Sequence, residues 1–340
     1  GGKRLYPAMP YTAFARISDD DMHALYAFFQ KGVQPSAQAN PPTALPWPFS
    51  MRWLMLGWNL LYYRSGPFQP DAAQAADWNR GAYLVTGLGH CAECHTARGI
   101  LGGLKAATER DGGQFLAGAE VDGWYAQALR HDPARPTAAA WPVEDLARYL
   151  KTGRTAHTAA FGPMSQVVEN STQYLSDTDL RAVAVYLRSL GAPDGGAASA
   201  AVAVAVADTA SAPATELLRS ADAKGHPGAM VYLNNCNACH RSDGTGAAAT
   251  FPAFARNSVV NAADPTSLIR MVLTGSAMPS TEQAPSALAM PGFGWRLGDD
   301  DVAQLLTFMR SSWGNQAGAV QAEQVAKVRA ALPAGTPTAR

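Results

Sequence analysis

Apolar residues recur along this chain at helical spacing in three places, each introduced by the same polar signature. Ile17-Ser18-Asp19-Asp20-Asp21-Met22, Leu175-Ser176-Asp177-Thr178-Asp179-Leu180 and Leu297-Gly298-Asp299-Asp300-Asp301-Val302 share one pattern. An apolar residue and a small residue precede Asp-x-Asp, and an apolar stripe follows. The small residue or the first Asp is an N-cap, and the next acids sit where the helix dipole favours negative charge. Leu180, Val183, Ala184 and Leu187, like Val302, Leu305, Leu306 and Met309, fall at i, i+3, i+4 and i+7. This spacing predicts an amphipathic helix with one buried face.

A methionine in a proline-constrained loop precedes each predicted helix. Met9 lies 9 residues before Ser18, Met164 12 before Ser176, and Met290 8 before Gly298. Strand-like alternation is sparse, so the expected fold class is all-α. Residues 1–33 read as the end of a first unit, 34–78 as a proline-rich connection and 79–191 as a second unit. The Ala/Val/Gly-rich stretch 192–218 reads as a linker. Residues 219–314 read as a third unit and 315–340 as an Ala-rich tail. Phe49 to Tyr63, "FSMRWLMLGWNLLYY", is too short to span a bilayer. It is expected to pack inside or between units, with a partner-docking or membrane-surface patch as the sharper reading.

Composition narrows the function. The 340 residues are 47% hydrophobic and 16% charged, with 27 basic and 27 acidic side chains. That balance offers no broad basic face for nucleic acid. All four cysteines fall in two motifs, Cys91-Ala92-Glu93-Cys94-His95 and Cys236-Asn237-Ala238-Cys239-His240. C-x-x-C-H is the attachment signature of c-type haem. Two thiols add to the porphyrin vinyl groups, and the adjacent histidine reaches the iron from the proximal side. A shared zinc site fits poorly, because Cys94 and Cys236 are 142 residues apart and paired zinc motifs stand about 12–20 apart.

A thioether as sixth ligand raises the reduction potential and closes the iron, which suits electron transfer. Met164, 69 residues after His95, and Met290, 50 after His240, are the candidates. Met278 is a rival to Met290, but only Met290 shares the repeat's spacing to the acidic helix. Met9 occupies the same place in the first unit, whose C-x-x-C-H would lie some 50–70 residues before it by the same spacing. His23, His131, His157 and His226 read as surface or satisfied core residues. His90 abuts the first motif, where the neighbouring thioether would fix its geometry. Arg98 reads equally as a propionate partner and as a solvated loop charge. Export to the periplasm is expected, since thioether formation needs reduced thiols on the outer side of the membrane.

The stretches "NRGAYLVTGLGHCAECHTARG", "WPVEDLARYLKTGRTAHTAAFGPMSQVVENSTQYLSDTDLRAVAVYLRSL" and "MPGFGWRLGDDDVAQLLTFMRSSWG" resemble the triple-haem cytochrome c subunit of membrane-bound bacterial dehydrogenases. That family serves quinoprotein alcohol dehydrogenase and flavin-dependent gluconate, sorbitol and fructose dehydrogenases. The resemblance implies tandem haem domains. It assigns Cys91, Cys94, His95 and Met164 to one haem c and Cys236, Cys239, His240 and Met290 to another. Met9 matches the axial methionine of a third haem expected in the full-length protein, of which this chain would be a C-terminal part. The implied partners are a catalytic dehydrogenase subunit, ubiquinone and the inner-membrane surface, with no substrate chemistry on this chain. The alternative from a different class is a di-haem peroxidase, which needs one open sixth position.

Overall fold

The computed structural model describes residues 5–39, 41–42, 44–132, 136–191, 212–255 and 257–333. The first unit contributes α1 (Tyr11–Phe14) and α2 (Asp19–Lys31), and the connection carries α3 (Met55–Tyr62). Next come α4 (Ala76–Thr86), α5 (Ala92–His95), β1 (Ala119–Val121), β2 (Trp124–Ala126), α6 (Val143–Thr152), α7 (Pro163–Asn170) and α8 (Asp177–Ser189). The last group is α9 (Ala212–Arg219), α10 (Pro227–Asn235), α11 (Asn237–His240), α12 (Thr266–Thr274), β3 (Gly275–Ala277), β4 (Ala289–Pro291), α13 (Asp299–Ser311) and α14 (Ala322–Ala330).

The three acidic helix starts form as the repeat predicts. Ser18 Oγ accepts the Asp21 amide at 3.2 Å and Ser176 Oγ accepts the Asp179 amide at 3.1 Å. Gly298 has no side chain to cap with, so the device inverts: the Asp301 carboxylate accepts the Gly298 amide at 3.1 Å. Leu180, Val183, Ala184 and Leu187 are buried on α8, as are Val302, Leu305, Leu306 and Met309 on α13. Each buried leucine contributes roughly 1.5–3 kcal/mol of hydrophobic stabilisation.

Two cores result. One gathers Leu84, Val85, Phe115, Leu116, Tyr186 and Leu187. The other gathers Tyr232, Ile269, Leu273, Leu305, Leu306 and Val325. Each depends on one close helix crossing, α4 on α8 and α10 on α13. A Cβ added at Gly81 would sit 2.0 Å from the Ala182 carbonyl oxygen, and one at Gly228 2.2 Å from that of Gln304. Ala182 and Gln304 hold the same position, sixth from the start of their helices. Glycine is required there by the approach of two backbones.

The all-α expectation needs a correction. The protein is helix-rich, yet it carries two antiparallel two-stranded sheets, β1–β2 and β3–β4. Each strand has three residues, too few for an alternation of period two to register in sequence. Phe49 to Tyr63 also departs from expectation. Only eight residues of it are α-helical in α3 and only Met55 is buried, while Trp53, Leu56, Leu60 and Leu61 are exposed. Its apolar residues run around the whole helix, so one side cannot bury them all. The inner side is held by Tyr11 donating to Asn59 Oδ1 at 2.6 Å and Trp58 Nε1 donating to the Leu101 carbonyl at 3.0 Å.

Most of the expected linker, 192–211, lies outside the described residues. Its end, 212–218, belongs to α9, which buries Leu218 in the second core. The tail also packs. Arg329 pairs with Asp299 at 2.7 Å and donates to the Gly294 and Leu297 carbonyls, seating α14 on the start of α13. Among the described residues no helix is long and apolar enough to cross a membrane.

The crossing glycines generate a stability prediction. Gly228→Ala forces α10 away from α13 and is expected to destabilise the protein by about 1–3 kcal/mol, the usual cost of overpacking. Equilibrium denaturation measures it, and an unchanged midpoint would refute the crossing.

Candidate functional site

Each C-x-x-C-H motif follows its crossing helix and closes into a single helical turn, α5 or α11. The turn is anchored at its start, since the His95 amide donates to the Cys91 carbonyl at 3.0 Å and the His240 amide to that of Cys236 at 3.0 Å. The four thiols are unpaired. Cys94 and Cys239 are exposed, while Cys91 and Cys236 turn inward against the cores. Burial pushes the Cys91 and Cys236 thiols up to about 12. Burial also raises Cys94, with the Glu93 charge adding to it.

The histidines define the chemistry. His95 Nδ1 lies 2.7 Å from the Gln127 carbonyl oxygen, and His240 Nδ1 lies 3.0 Å from that of Pro252. A carbonyl only accepts, so Nδ1 carries the proton and Nε2 keeps its lone pair. Burial lowers both imidazole pKa values against the opposing pull of these hydrogen bonds. Both rings are therefore neutral near pH 7, with Nε2 available to a metal. A ligating histidine that donates its other N–H to a carbonyl is the usual support of a metal-bound imidazole. His240 is further fixed by stacking on Phe254, 4.1 Å between centroids. Two vicinal thiols beside such a histidine fit a covalently held haem.

The sequence does not reveal Gln127 and Pro252, because the acceptor is a backbone carbonyl that any residue supplies. The Phe251-Pro252 pair after the second motif is the only local hint.

Met164 is half-buried at the second position of α7, behind Pro163 at its first turn. The preceding Gly162 has φ +53°, and a Cβ on it would press on the Trp124 ring at 3.0 Å. Met290 is half-buried in β4, where it pairs with Ser276 of β3 and packs against the second core. Met278 lies at the other end of the same hairpin, its amide donating to the Leu288 carbonyl at 2.9 Å. Met9 is 61% exposed. Arg98 is engaged by Glu93 at 2.5 Å and the Gly102 carbonyl at 2.9 Å, so its charge already has a protein partner. His90 has φ +35° and stands edge-on to Phe14 at 5.6 Å between centroids. Among the described residues no three His, Cys, Asp or Glu side chains converge into a zinc-type cluster.

These features define a c-type cytochrome, and the sequence model of the cytochrome c family matches residues 226–313. The chain is 46% identical over 333 residues to the gluconate 2-dehydrogenase cytochrome c subunit of Pantoea cypripedii, covering 96% of this chain and 73% of that protein. It is 43% identical over 340 residues to the alcohol dehydrogenase (quinone) cytochrome c subunit of Gluconobacter oxydans (strain 621H), covering 96% and 67%. Against the fructose dehydrogenase cytochrome subunit of Gluconobacter japonicus it is 35% identical over 344 residues, covering 97% and 68%. The chain belongs to this family of dehydrogenase cytochrome c subunits.

The thiol environments predict an order of reactivity in the haem-free chain. A pKa raised to about 12 leaves roughly a thousandfold less thiolate at pH 8 than the ordinary value of 9, and the thiolate is the reactive form. Cys91 and Cys236 should therefore alkylate last, and faster as pH rises. Peptide mapping after timed iodoacetamide treatment checks this, and equal rates for all four cysteines would contradict it.

Proposed function

We propose that this chain relays electrons, one at a time, from a catalytic dehydrogenase subunit to ubiquinone at the periplasmic side of the inner membrane. The observation that carries the reading is the matched pair of histidine settings. Each neutral imidazole follows two thiols and is turned by a carbonyl so that Nε2 is free. Cys91 and Cys94 hold one haem c with His95 and Met164 on its iron. Cys236 and Cys239 hold another with His240 and Met290. Haem supplies a one-electron iron couple, and thioether–imidazole ligation sets it high and closed to exogenous ligands.

The protein's own part is to keep Nε2 unprotonated, hold the thiols adjacent and present the methionines from rigid segments. The electron donor is a flavin- or quinone-dependent subunit that oxidises an alcohol, aldehyde, sugar or sugar acid. The relatives' names support a dehydrogenase partner of this kind. The exposed side of α3, with Leu56, Leu60 and Leu61, and Trp53 just before it form an apolar face suited to the membrane surface.

Residues 1–33 are the end of a further cytochrome c unit in the full-length protein, with Met9 as the sixth ligand of its haem. The support is helix α2, capped like its two counterparts but with no buried residue. Ala24 and Phe28 match the crossing positions Ala182 and Tyr186, and both are exposed. A glycine-bearing helix ahead of a third C-x-x-C-H would cover them. Residues 79–191 and 219–314 are the two complete haem-bearing segments, and α9 and α14 pack onto the second.

The ligand assignment has a direct test. Met164→His and Met290→His each replace a thioether with a second imidazole, and each is expected to lower one of two midpoint potentials. The drop should be on the order of 0.1 V, within the roughly 0.8 V range that axial ligands span. A potentiometric titration in which neither transition moves would remove both methionines from the iron.

A further inference from the structure

The two methionine-bearing segments belong to different units, yet they meet along one seam. Gly162, just before Pro163 and Met164, donates its amide to Ser276 Oγ at 3.4 Å. Ser276 is the cross-strand partner of Met290. Ser165, the residue after Met164, is buried and donates its hydroxyl to the Ala277 carbonyl at 3.1 Å. The first strand of the Met290 hairpin, β3, is thus tied by residues on both sides of Met164, 114 and 112 positions away in sequence.

A second grip lies beside the first. Arg154, buried at the end of α6, donates to the Pro279 carbonyl at 3.1 Å and the Ser286 carbonyl at 2.8 Å. Those carbonyls stand at the two sides of the loop between β3 and β4. A Cβ on Gly153 would lie 2.1 Å from the Pro279 ring, so the loop is seated directly on the α6 terminus. Phe161 adds an apolar contact to the core that Met290 joins. Three-residue strands have little stability of their own, so these outside contacts add to the core packing that sets where Met290 stands.

We propose that Ser165 and Arg154 of one unit are positioning residues for Met290 of the other, holding the hairpin so that the thioether stays on the iron. The proposal rests on the reading of Met290 as a ligand. A hairpin released from Ser165 or Arg154 holds the sulfur less firmly. Thioether ligation favours the ferrous state, so a looser bond lowers the potential of the haem held by Cys236 and Cys239. The residues changed are in the other unit, which a role confined to their own fold would not reach.

The test uses the haem-loaded chain in a potentiometric titration, with the ferric thioether–iron charge-transfer band read in parallel. Met164→His and Met290→His assign the two transitions. Ser165→Ala and Arg154→Gln are each expected to lower the transition assigned to Met290, by a three- to tenfold change in its oxidation equilibrium, at most about 59 mV for one electron. Ser165→Thr, which keeps the hydroxyl, should restore it. The proposal is overturned if both variants move only the transition assigned to Met164, or move neither. A Met290→His chain that kept both thioether signatures would overturn the ligand reading itself, and this inference with it.

Discussion

Everything at these sites depends on one hydrogen bond made twice, from imidazole Nδ1 to a backbone carbonyl. A histidine following two thiols in a helical turn could rotate its ring freely. The Gln127 and Pro252 carbonyls remove that freedom at 2.7 and 3.0 Å. They fix the tautomer, and burial keeps the ring neutral. The cost of ordering the ring is met locally, before any cofactor arrives, which is how a support outside the ligand shell tunes a metal site.

The C-x-x-C-H turns are themselves placed by the helix pair behind each motif. The α4–α8 and α10–α13 crossings are close enough that only glycine fits at Gly81 and Gly228. Each crossing fixes where its helix ends and so where the first cysteine begins. The same construction in both units explains why one sequence pattern yields two equivalent settings. Between them, the hairpin that bears Met290 leans on the α6–α7 region, so neither methionine-bearing segment is held wholly by its own unit.

Much of this was legible in the sequence. The Asp-x-Asp starts and the stripes on α8 and α13 follow from side-chain identity and spacing, and the structure forms them as expected, while the C-x-x-C-H motifs stood out by residue type alone. What escaped depends on backbone or on distant partners. Carbonyl acceptors leave no signature, so Gln127 was invisible. The strands β3 and β4 are three residues each, and Ser165 and Arg154 reach across to β3 and its loop from another unit. Met55 to Tyr62 was misjudged because apolar composition was read as burial, although a helix apolar on every side can bury only one of them. Arg98 was open in the sequence, since it lies in a loop whose shape no pattern gives, five residues after Glu93 of α5.

The most direct test of the account is the intact mass of the chain after expression with periplasmic haem-maturation machinery, read with its reduced absorption spectrum. A gain of two haems with a low-spin spectrum indifferent to carbon monoxide is the predicted result. A chain without covalent haem, or a high-spin spectrum that shifts with carbon monoxide, would contradict it.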